Sequence, residues 1–271
     1  MELSTTIRLL GDILGDVITE LESSDLFETE EQIRIAAKDR RGGDAEAAKQ
    51  LEVQVEALSV DDARAVSAAF TTYFDLVNLA EEYSRVQQLR ERESAQHPAS
   101  LSESVGGAIE SLKDEGVTSE QMRSLLDRLS IELVLTAHPT ESRRRTVVSK
   151  LQRIARSLEH LANNQLTPSE REQTLSSIRA EVVGLWLTDR TRTVKPTVTD
   201  EVRTGLHFVE SVFWDTLPEL YADLDEALAS DYPEVVSPSN WLSLASWMGG
   251  DRDGNPNVTH KVTAETLRLH R

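Results

Sequence analysis

Two short apolar segments, each followed at once by a polar loop, constrain the fold of this chain more than any other feature. The first is IELVLTA at residues 131–137, which runs into His138 and Pro139. The second is WLSLASWM at residues 241–248, which runs into GGDRDGNP at residues 249–256. Each pattern is typical of a buried β-strand that ends in a polar loop and is followed by a helix. Two such units indicate the start of a parallel α/β barrel.

Outside these segments the chain mostly has the period of amphipathic α-helices. In the first helix, apolar residues recur at helical spacing, at Ile7, Leu10, Leu14, Val17 and Leu21. A long helix is predicted between Ser59, as its N-cap, and Pro98. Its apolar face is predicted to contain Val66, Phe70, Phe74, Val77 and Leu89. Thr118 and Thr167 each begin a capping-box sequence, and Thr263 is predicted to cap a last helix.

We therefore expect a predominantly α-helical chain that forms the N-terminal part of a helix-rich α/β (TIM-like) barrel. Residues 1–125 are predicted to be a helical N-terminal region, and residues 126–271 the first strand–loop–helix units of the barrel. A barrel with about two strands would leave open edges and uncovered apolar faces. The last helix makes only about two turns before Arg271 and lacks a stop signal. The chain is therefore expected to be cut short.

The charge balance and the absence of cysteine narrow the classes of function. The formal net charge is −18, and such a chain would repel nucleic-acid phosphates and anionic lipid surfaces. We therefore predict no nucleic-acid and no membrane partner. The chain has no cysteine, which excludes disulfides and thiolate metal sites. The sequence has neither a signal-peptide pattern nor an apolar run of roughly 18 residues, so a cytoplasmic location is predicted.

The excess of acid has two interpretations. It can form an ordinary solvated face, or it can reflect adaptation to high salt. Arginine greatly outnumbers lysine, which occurs only at Lys38, Lys49, Lys113, Lys150, Lys195 and Lys261. Salt at about 1 M screens charges beyond about 3 Å, so the self-repulsion would be tolerated there. We favour a salt-adapted source.

The residues that follow the first predicted strand are suited to proton transfer beside an anion. His138 would be held on a rigid support by Pro139, and imidazole titrates near neutrality, so it can accept and return a proton. If Thr140 caps the next helix, Arg144 and Arg145 fall in its first turns, near N–H groups that favour anions. The residues alone also fit a packing histidine and arginines paired with carboxylates. They leave the function open.

The loop at residues 249–256 combines glycines with charge at the end of the second predicted strand. Asp251, Arg252 and Asp253 can bind a ligand there, or the aspartates can cap backbone groups and pair with the arginine in a structural turn. A calcium loop of the EF-hand type needs glycine at its sixth position and glutamate at its twelfth. Counted from Asp251, the glycine is fourth and the twelfth residue is Val262. The calcium interpretation therefore fails on spacing.

Two of these motifs resemble signatures of the phosphoenolpyruvate carboxylases, and they occur in the same order. They are TAHPTE at residues 136–141 and GGDRDGNP at residues 249–256. Other stretches are also similar to that family, namely residues 9–15, 78–83, 185–189 and 195–206. The resemblance spans essentially the whole chain, which is thereby identified as a member of the family.

The resemblance implies carboxylation of phosphoenolpyruvate with bicarbonate to oxaloacetate and phosphate, an anaplerotic fixation of carbon dioxide. Bicarbonate attacks the phosphoryl group, which gives carboxyphosphate and pyruvate enolate. The histidine that matches His138 assists the breakdown of carboxyphosphate, and the enolate captures the CO2. The family uses Mg²⁺ or Mn²⁺ and is usually homotetrameric.

The resemblance also implies roles for other residues. Arg144 and Arg145 match arginines of an anion or sugar-phosphate effector site, and Asp251, Arg252 and Asp253 are assigned to the mouth of the barrel. Family chains are much longer, and their metal ligands and substrate-phosphate arginines lie further downstream, so no metal ligand is assigned in this chain. We expect these 271 residues alone to be inactive and poorly stable. The alternative is a non-catalytic helical binding module that retains the family signatures.

Dialysis into low salt tests the salt-adapted interpretation. We expect the protein to unfold there, because its net charge of −18 is no longer screened. Far-ultraviolet circular dichroism measures the loss of helix, with a sample kept in about 1 M salt as the control. Full stability at low salt would contradict the interpretation.

Overall fold

The computed structural model describes residues 2–136, 144–162, 165–189 and 196–271, and within these ranges the chain is predominantly helical. The α-helices are α1 (Leu3–Leu21), α2 (Ser24–Arg41), α3 (Ala45–Glu56), α4 (Val60–Gln96), α5 (Val105–Asp114), α6 (Ser119–Leu126), α7 (Arg145–Leu161), α8 (Pro168–Trp186), α9 (Val198–Phe208), α10 (Trp214–Asp231) and α11 (His260–Leu269). A π-helical segment, Val209–Phe213, joins α9 to α10. The strands are β1 (Ile131–Leu135) and β2 (Leu242–Ser246).

Side-chain caps start several helices where the sequence predicts them. The capping boxes at Thr118 and Thr167 are confirmed. At the second of these, the Glu170 carboxylate accepts a hydrogen bond of 2.8 Å from the Thr167 N–H. Thr197 begins a further capping box, which the sequence analysis missed. Each box pairs backbone N–H groups that have no partner inside the helix.

The predicted start of the last helix is wrong. Thr259, not Thr263, is the N-cap of α11, and its hydroxyl accepts from the Val262 N–H at 3.3 Å. Thr263 lies one turn further along, inside the helix. Both threonines fit the N-cap preference, and only the path of the preceding loop selects the earlier one.

The described residues form two compact units that alternate along the chain. One contains residues 1–89 and 143–191, and the other contains residues 90–142 and 192–271. The predicted boundary between residues 125 and 126 falls within the second unit, and it stays a prediction.

The core of the first unit lies between α1, α2, α4, α7 and α8. Its fully buried side chains include Leu10, Ile18, Leu76, Ile154, Leu158, Ile178 and Leu185. The predicted face of α4 is only partly right, because Phe74 is 55% exposed and Ala69 and Tyr83 are buried instead. Over 37 residues a small error in phase moves a helical stripe onto its neighbours.

The core of the second unit is smaller and is organised around an aromatic ring. Tyr232 is fully buried, and its hydroxyl donates a 3.0 Å hydrogen bond to the Val117 carbonyl. The Lys113 ammonium lies 4.5 Å from the centre of that ring, a cation–π contact. The ring packs in a cluster with Ile109, Met122, Leu126, Leu224, Leu228 and Trp241.

The two strands pair in parallel, as the repeated strand–loop–helix pattern predicts. The prediction that both strands are buried is wrong for β1, since Ile131, Leu133 and Val134 are each about two-fifths exposed. These side chains alternate between the faces of the sheet, so the described residues cover each face of β1 only in part. The sheet has the order β1–β2, and each strand has hydrogen-bonded neighbours on one side only among the described residues.

One buried carboxylate of the first unit is sensitive to pH. Glu30 on α2 is 6% exposed. Burial, and to a smaller extent the charge of Glu31, raise its pKa, while Arg34 opposes the shift. Because the folded pKa lies above the unfolded one, this group favours folding below the unfolded pKa, and that contribution is lost as the pH rises through the folded pKa.

Glu30→Gln is therefore expected to raise the urea midpoint of unfolding at pH 7 and to leave it unchanged below about pH 4. Glu28→Gln is the matched control, because it removes the same charge from an exposed position of the same helix. An equal effect of both substitutions at pH 7 would show that relief of net charge, not burial, is responsible.

Candidate active site

The carboxyl ends of β1 and β2 lie side by side. Leu135, the last residue of β1, is paired with Ser246, the last residue of β2. One residue further on, the Trp247 N–H donates a 3.0 Å hydrogen bond to the Leu135 carbonyl. Paired strands lie about 4.8 Å apart. The segments that follow both strands therefore leave from the same edge of the sheet.

The predicted catalytic histidine follows β1 but lies outside the described residues. Thr136 is the last described residue after β1, and the description resumes at Arg144. His138 and Thr140 fall between them. The predicted role of His138 therefore stays a prediction. The prediction that Thr140 caps the next helix is wrong, because α7 begins at Arg145 and its N-cap residue is Arg144.

The glycine-rich loop follows β2 and begins with a tight turn. The N–H groups of Gly250 and Asp251 both donate to the Trp247 carbonyl, at 3.0 and 2.9 Å. Gly249 has φ +75°, in the left-handed region that favours glycine. A Cβ at Gly249 would also overlap the Thr266 hydroxyl. Glycine is therefore required there both by the turn and by the close approach of α11.

The charged residues of the loop are exposed. An oxygen of Asp251 accepts a 2.9 Å hydrogen bond from the Asp253 N–H, which confirms the backbone-capping interpretation for Asp251. The guanidinium of Arg252 donates to the Thr263 hydroxyl on α11 at 3.1 Å. The turn is thus stabilised by Asp251 of the loop itself, whereas the Arg252 side chain is bound by Thr263 of α11.

Helix α9 closes the same end of the sheet. A Cβ at Gly205 would overlap the methyl group of Met248, and the Leu135 side chain would lie 3.9 Å from it. This glycine allows α9 to pack directly against the residues at both strand ends. Sequence reasoning did not single out Gly205 or Thr266, and it named Thr263 only as a helix cap. Their contacts with the loop depend on which helix packs against it.

Charges on α9 and α11 are near one another. Glu265 of α11 accepts hydrogen bonds of 3.0 and 2.7 Å from the Arg268 guanidinium. That hydrogen bonding lowers the pKa of Glu265, and Arg203 of α9 lowers it further. The Glu265 carboxylate of α11 thus interacts directly with an arginine of its own helix and electrostatically with an arginine of α9.

The predicted effector arginines lie in the other unit. Arg144 is the half-buried N-cap residue of α7, and Arg145 is its exposed first residue. Both therefore lie at the helix N-terminus, where the macrodipole favours an anion. Their predicted role in effector binding stays a prediction.

The described residues offer neither a metal-binding cluster nor a membrane-spanning helix. They contain no cluster of three or more histidines or carboxylates arranged to hold a metal ion. No helix in the described ranges has the length and apolar character that a membrane crossing requires.

The chain is similar to one protein family over nearly its whole length. A family model described as phosphoenolpyruvate carboxylase matches residues 3–271. The chain belongs to the phosphoenolpyruvate carboxylase family. A phosphoenolpyruvate carboxylase of Roseiflexus castenholzii is 43% identical over 99% of the chain. Those of Marinobacter nauticus and Acinetobacter baumannii are 38% and 37% identical over 100% and 98% of it.

The chain spans only about 30% of the length of these relatives: 29% of the first and 30% of the other two. Thr136, the first residue of the 136–141 motif, follows β1 directly, and the 249–256 motif follows β2 at the same edge of the sheet.

Gly249→Ala is expected to destabilise the second unit by at least about 2 kcal/mol, from left-handed strain and overlap with Thr266 together. Gly254→Ala is the matched control. Gly254 also has a positive φ, but a Cβ added at this position would have no atom within 4 Å. This substitution should cost only about 1 kcal/mol. Urea unfolding measures both, and equal losses would show that the contact with Thr266 is unimportant.

Proposed function

We propose that this chain belongs to an enzyme that carboxylates phosphoenolpyruvate with bicarbonate, giving oxaloacetate and phosphate. The observation that carries the proposal is the parallel register of β1 and β2, which starts both family signatures at one edge of the sheet. Residues just beyond the carboxyl ends of parallel strands are where α/β enzymes place their chemistry. Membership of the family supports the same reaction.

The proposed reaction has two stages. A bicarbonate oxygen attacks phosphorus, and the bond between phosphorus and the enol oxygen breaks, which leaves carboxyphosphate and pyruvate enolate. His138 then accepts the proton of the carboxyphosphate carboxyl group as its C–O bond breaks, and returns that proton to the departing phosphate. The enolate carbon attacks the released CO2 and forms oxaloacetate. Imidazole suits this task because it gains and loses a proton near neutral pH.

The fold proposal is that β1 and β2 are the first strands of a barrel completed by further polypeptide. The exposure of Ile131, Leu133 and Val134 supports it, since a completed barrel would cover these side chains. The shorter span of the chain relative to its relatives supports it too. The ligands for Mg²⁺ or Mn²⁺ are proposed to lie in that further polypeptide, as the family resemblance implies. A homotetramer in the cytoplasm is the accompanying prediction.

The remaining residues have supporting roles in this proposal. Arg144 and Arg145 form an anion site for a phosphorylated effector, which their position at the N-terminus of α7 supports. Asp251, Arg252 and Asp253 line the mouth of the barrel, beside the end of β2.

In the complete enzyme, His138→Asn is expected to stop oxaloacetate formation but to retain some bicarbonate-dependent phosphate release. Asparagine cannot move the proton that carboxyphosphate breakdown needs, and general acid–base help contributes about 10²–10⁴ in rate, roughly 3–5 kcal/mol. A coupled assay measures oxaloacetate, and a separate assay measures phosphate.

His160→Asn is the control, because His160 is an exposed histidine of α7 in the other unit, and it should leave both products unchanged. Normal oxaloacetate output from the His138 variant would remove His138 from the mechanism. The 271-residue chain by itself is expected to be inactive, and detectable carboxylation by it would contradict the proposal that further polypeptide is needed.

A further inference from the structure

The hydroxyl of Thr263 has a fixed orientation. It donates to the Thr259 carbonyl, one turn earlier in α11, at 3.3 Å. It also accepts from the Arg252 guanidinium at 3.1 Å. Because its proton is directed along the helix, its lone pairs are available to the arginine. Thr259 is itself held as the N-cap of α11, so the acceptor for Arg252 is attached to a well-defined helix start.

A second threonine on the same face of α11 fixes the beginning of the loop. Thr266 lies three residues after Thr263, and side chains with this spacing share a helix face. It is 3% exposed, and its hydroxyl lies against Gly249. Helical threonines elsewhere, such as Thr174 and Thr204, donate to the carbonyl four residues earlier. Within the described residues the Thr266 hydroxyl has no hydrogen-bond partner, so its position is set by packing against the loop.

The alternative partners of Arg252 are in its own loop. Asp251 and Asp253 flank it, and one of the Asp251 oxygens already accepts from the Asp253 N–H. A guanidinium released from Thr263 would be free to pair with either carboxylate, as charged neighbours do. Such a pair would occupy donors that an anion could otherwise use. Held by one hydrogen bond to a neutral hydroxyl, Arg252 keeps most of its five N–H donors and its full charge.

We propose that Thr263 is a positioning residue that keeps the Arg252 guanidinium available to an anionic substrate, a carboxylate or a phosphoryl group, at the carboxyl end of β2. The inference depends on the proposed function only for the identity of the reaction. The hydrogen bond between Arg252 and Thr263 does not depend on it. Thr266 and Gly249 complete the arrangement by holding the first residue of the loop against the same helix face.

The kinetic test uses Thr263→Val and Thr263→Ser in the complete enzyme. Valine keeps the branched shape but removes the acceptor, whereas serine keeps the hydroxyl. Thr263→Val is expected to raise KM for phosphoenolpyruvate roughly tenfold with a smaller change in kcat, and Thr263→Ser should remain within about twofold of the parent protein. An unchanged KM in the valine variant, or equal defects in both variants, would overturn the proposal.

A double-mutant cycle shows whether the threonine acts through the arginine. In an Arg252→Ala background, Thr263→Val should have no further effect on KM, since the group that it positions is absent. Multiplicative effects of the two substitutions would contradict the proposed route.

Amide hydrogen exchange of the peptide that contains residues 249–256 separates the inference from the proposed function. In the Thr263→Val variant, the amides of this loop should exchange faster, and those of α7 should exchange at the same rate as before. The Thr263→Ser variant should retain the slower exchange in the loop. If the complete protein without substitutions has no carboxylase activity but the loop responds in this way, the proposed function fails and the positioning role stands. Unchanged exchange in the valine variant would remove the positioning role whatever the activity.

Discussion

The parallel pairing of β1 with β2 is the constraint on which the candidate site depends. The strands are separated by more than one hundred residues, from 136 to 241, and that connection contains α7, α8, α9 and α10. Parallel strands always need a long connection because the chain must return to the same end of the sheet. As a result, both strands end at the same edge of the sheet. The segments that follow them start about one interstrand distance apart, although they are far apart in sequence. A shift of the pairing by one residue would turn the side chains of one strand to the opposite face.

In the second unit, the residues that follow β2 pack so closely against α9 and α11 that two contact positions have no room for a side chain. Gly205 lets α9 approach Met248, and Gly249 lets the loop approach Thr266. Glycine contributes here by the absence of a side chain, which allows backbone and helix to come together. The Arg252 guanidinium is then held from α11 and not from its own loop. A charged side chain placed on a rigid support loses less conformational entropy when it binds a ligand. This arrangement supports the proposed role of Arg252 in binding an anion.

The exposed apolar side chains of β1 set the described fold apart from a self-contained domain. Ile131, Leu133 and Val134 are strand residues with aliphatic side chains, yet they remain about two-fifths exposed. The first unit, by contrast, has a core of buried aliphatic residues contributed by five helices, although other aliphatic side chains on its surface, such as Val53 and Val60, are exposed. The difference follows from the architecture, because helices can cover one another, whereas a two-stranded sheet offers two faces and two edges and pairs only one edge of each strand. The family relation, in which the chain spans about 30% of its relatives, agrees with this description.

The sequence by itself determined the two strands, their order and the starts of several helices. Capping residues such as Thr167, the helical period of α1 and the apolar runs of the two strands depend on neighbours in the chain, so local chemistry is sufficient to predict them. The two motifs that resemble family signatures were likewise identified from the sequence alone. Only the tertiary structure decided the phase of the buried face of α4, the choice of Thr259 over Thr263 as a cap, and the contact of Thr263 with Arg252. Each of these depends on which surfaces meet across long stretches of chain, and a pattern within one segment carries no information about the partner that it will meet.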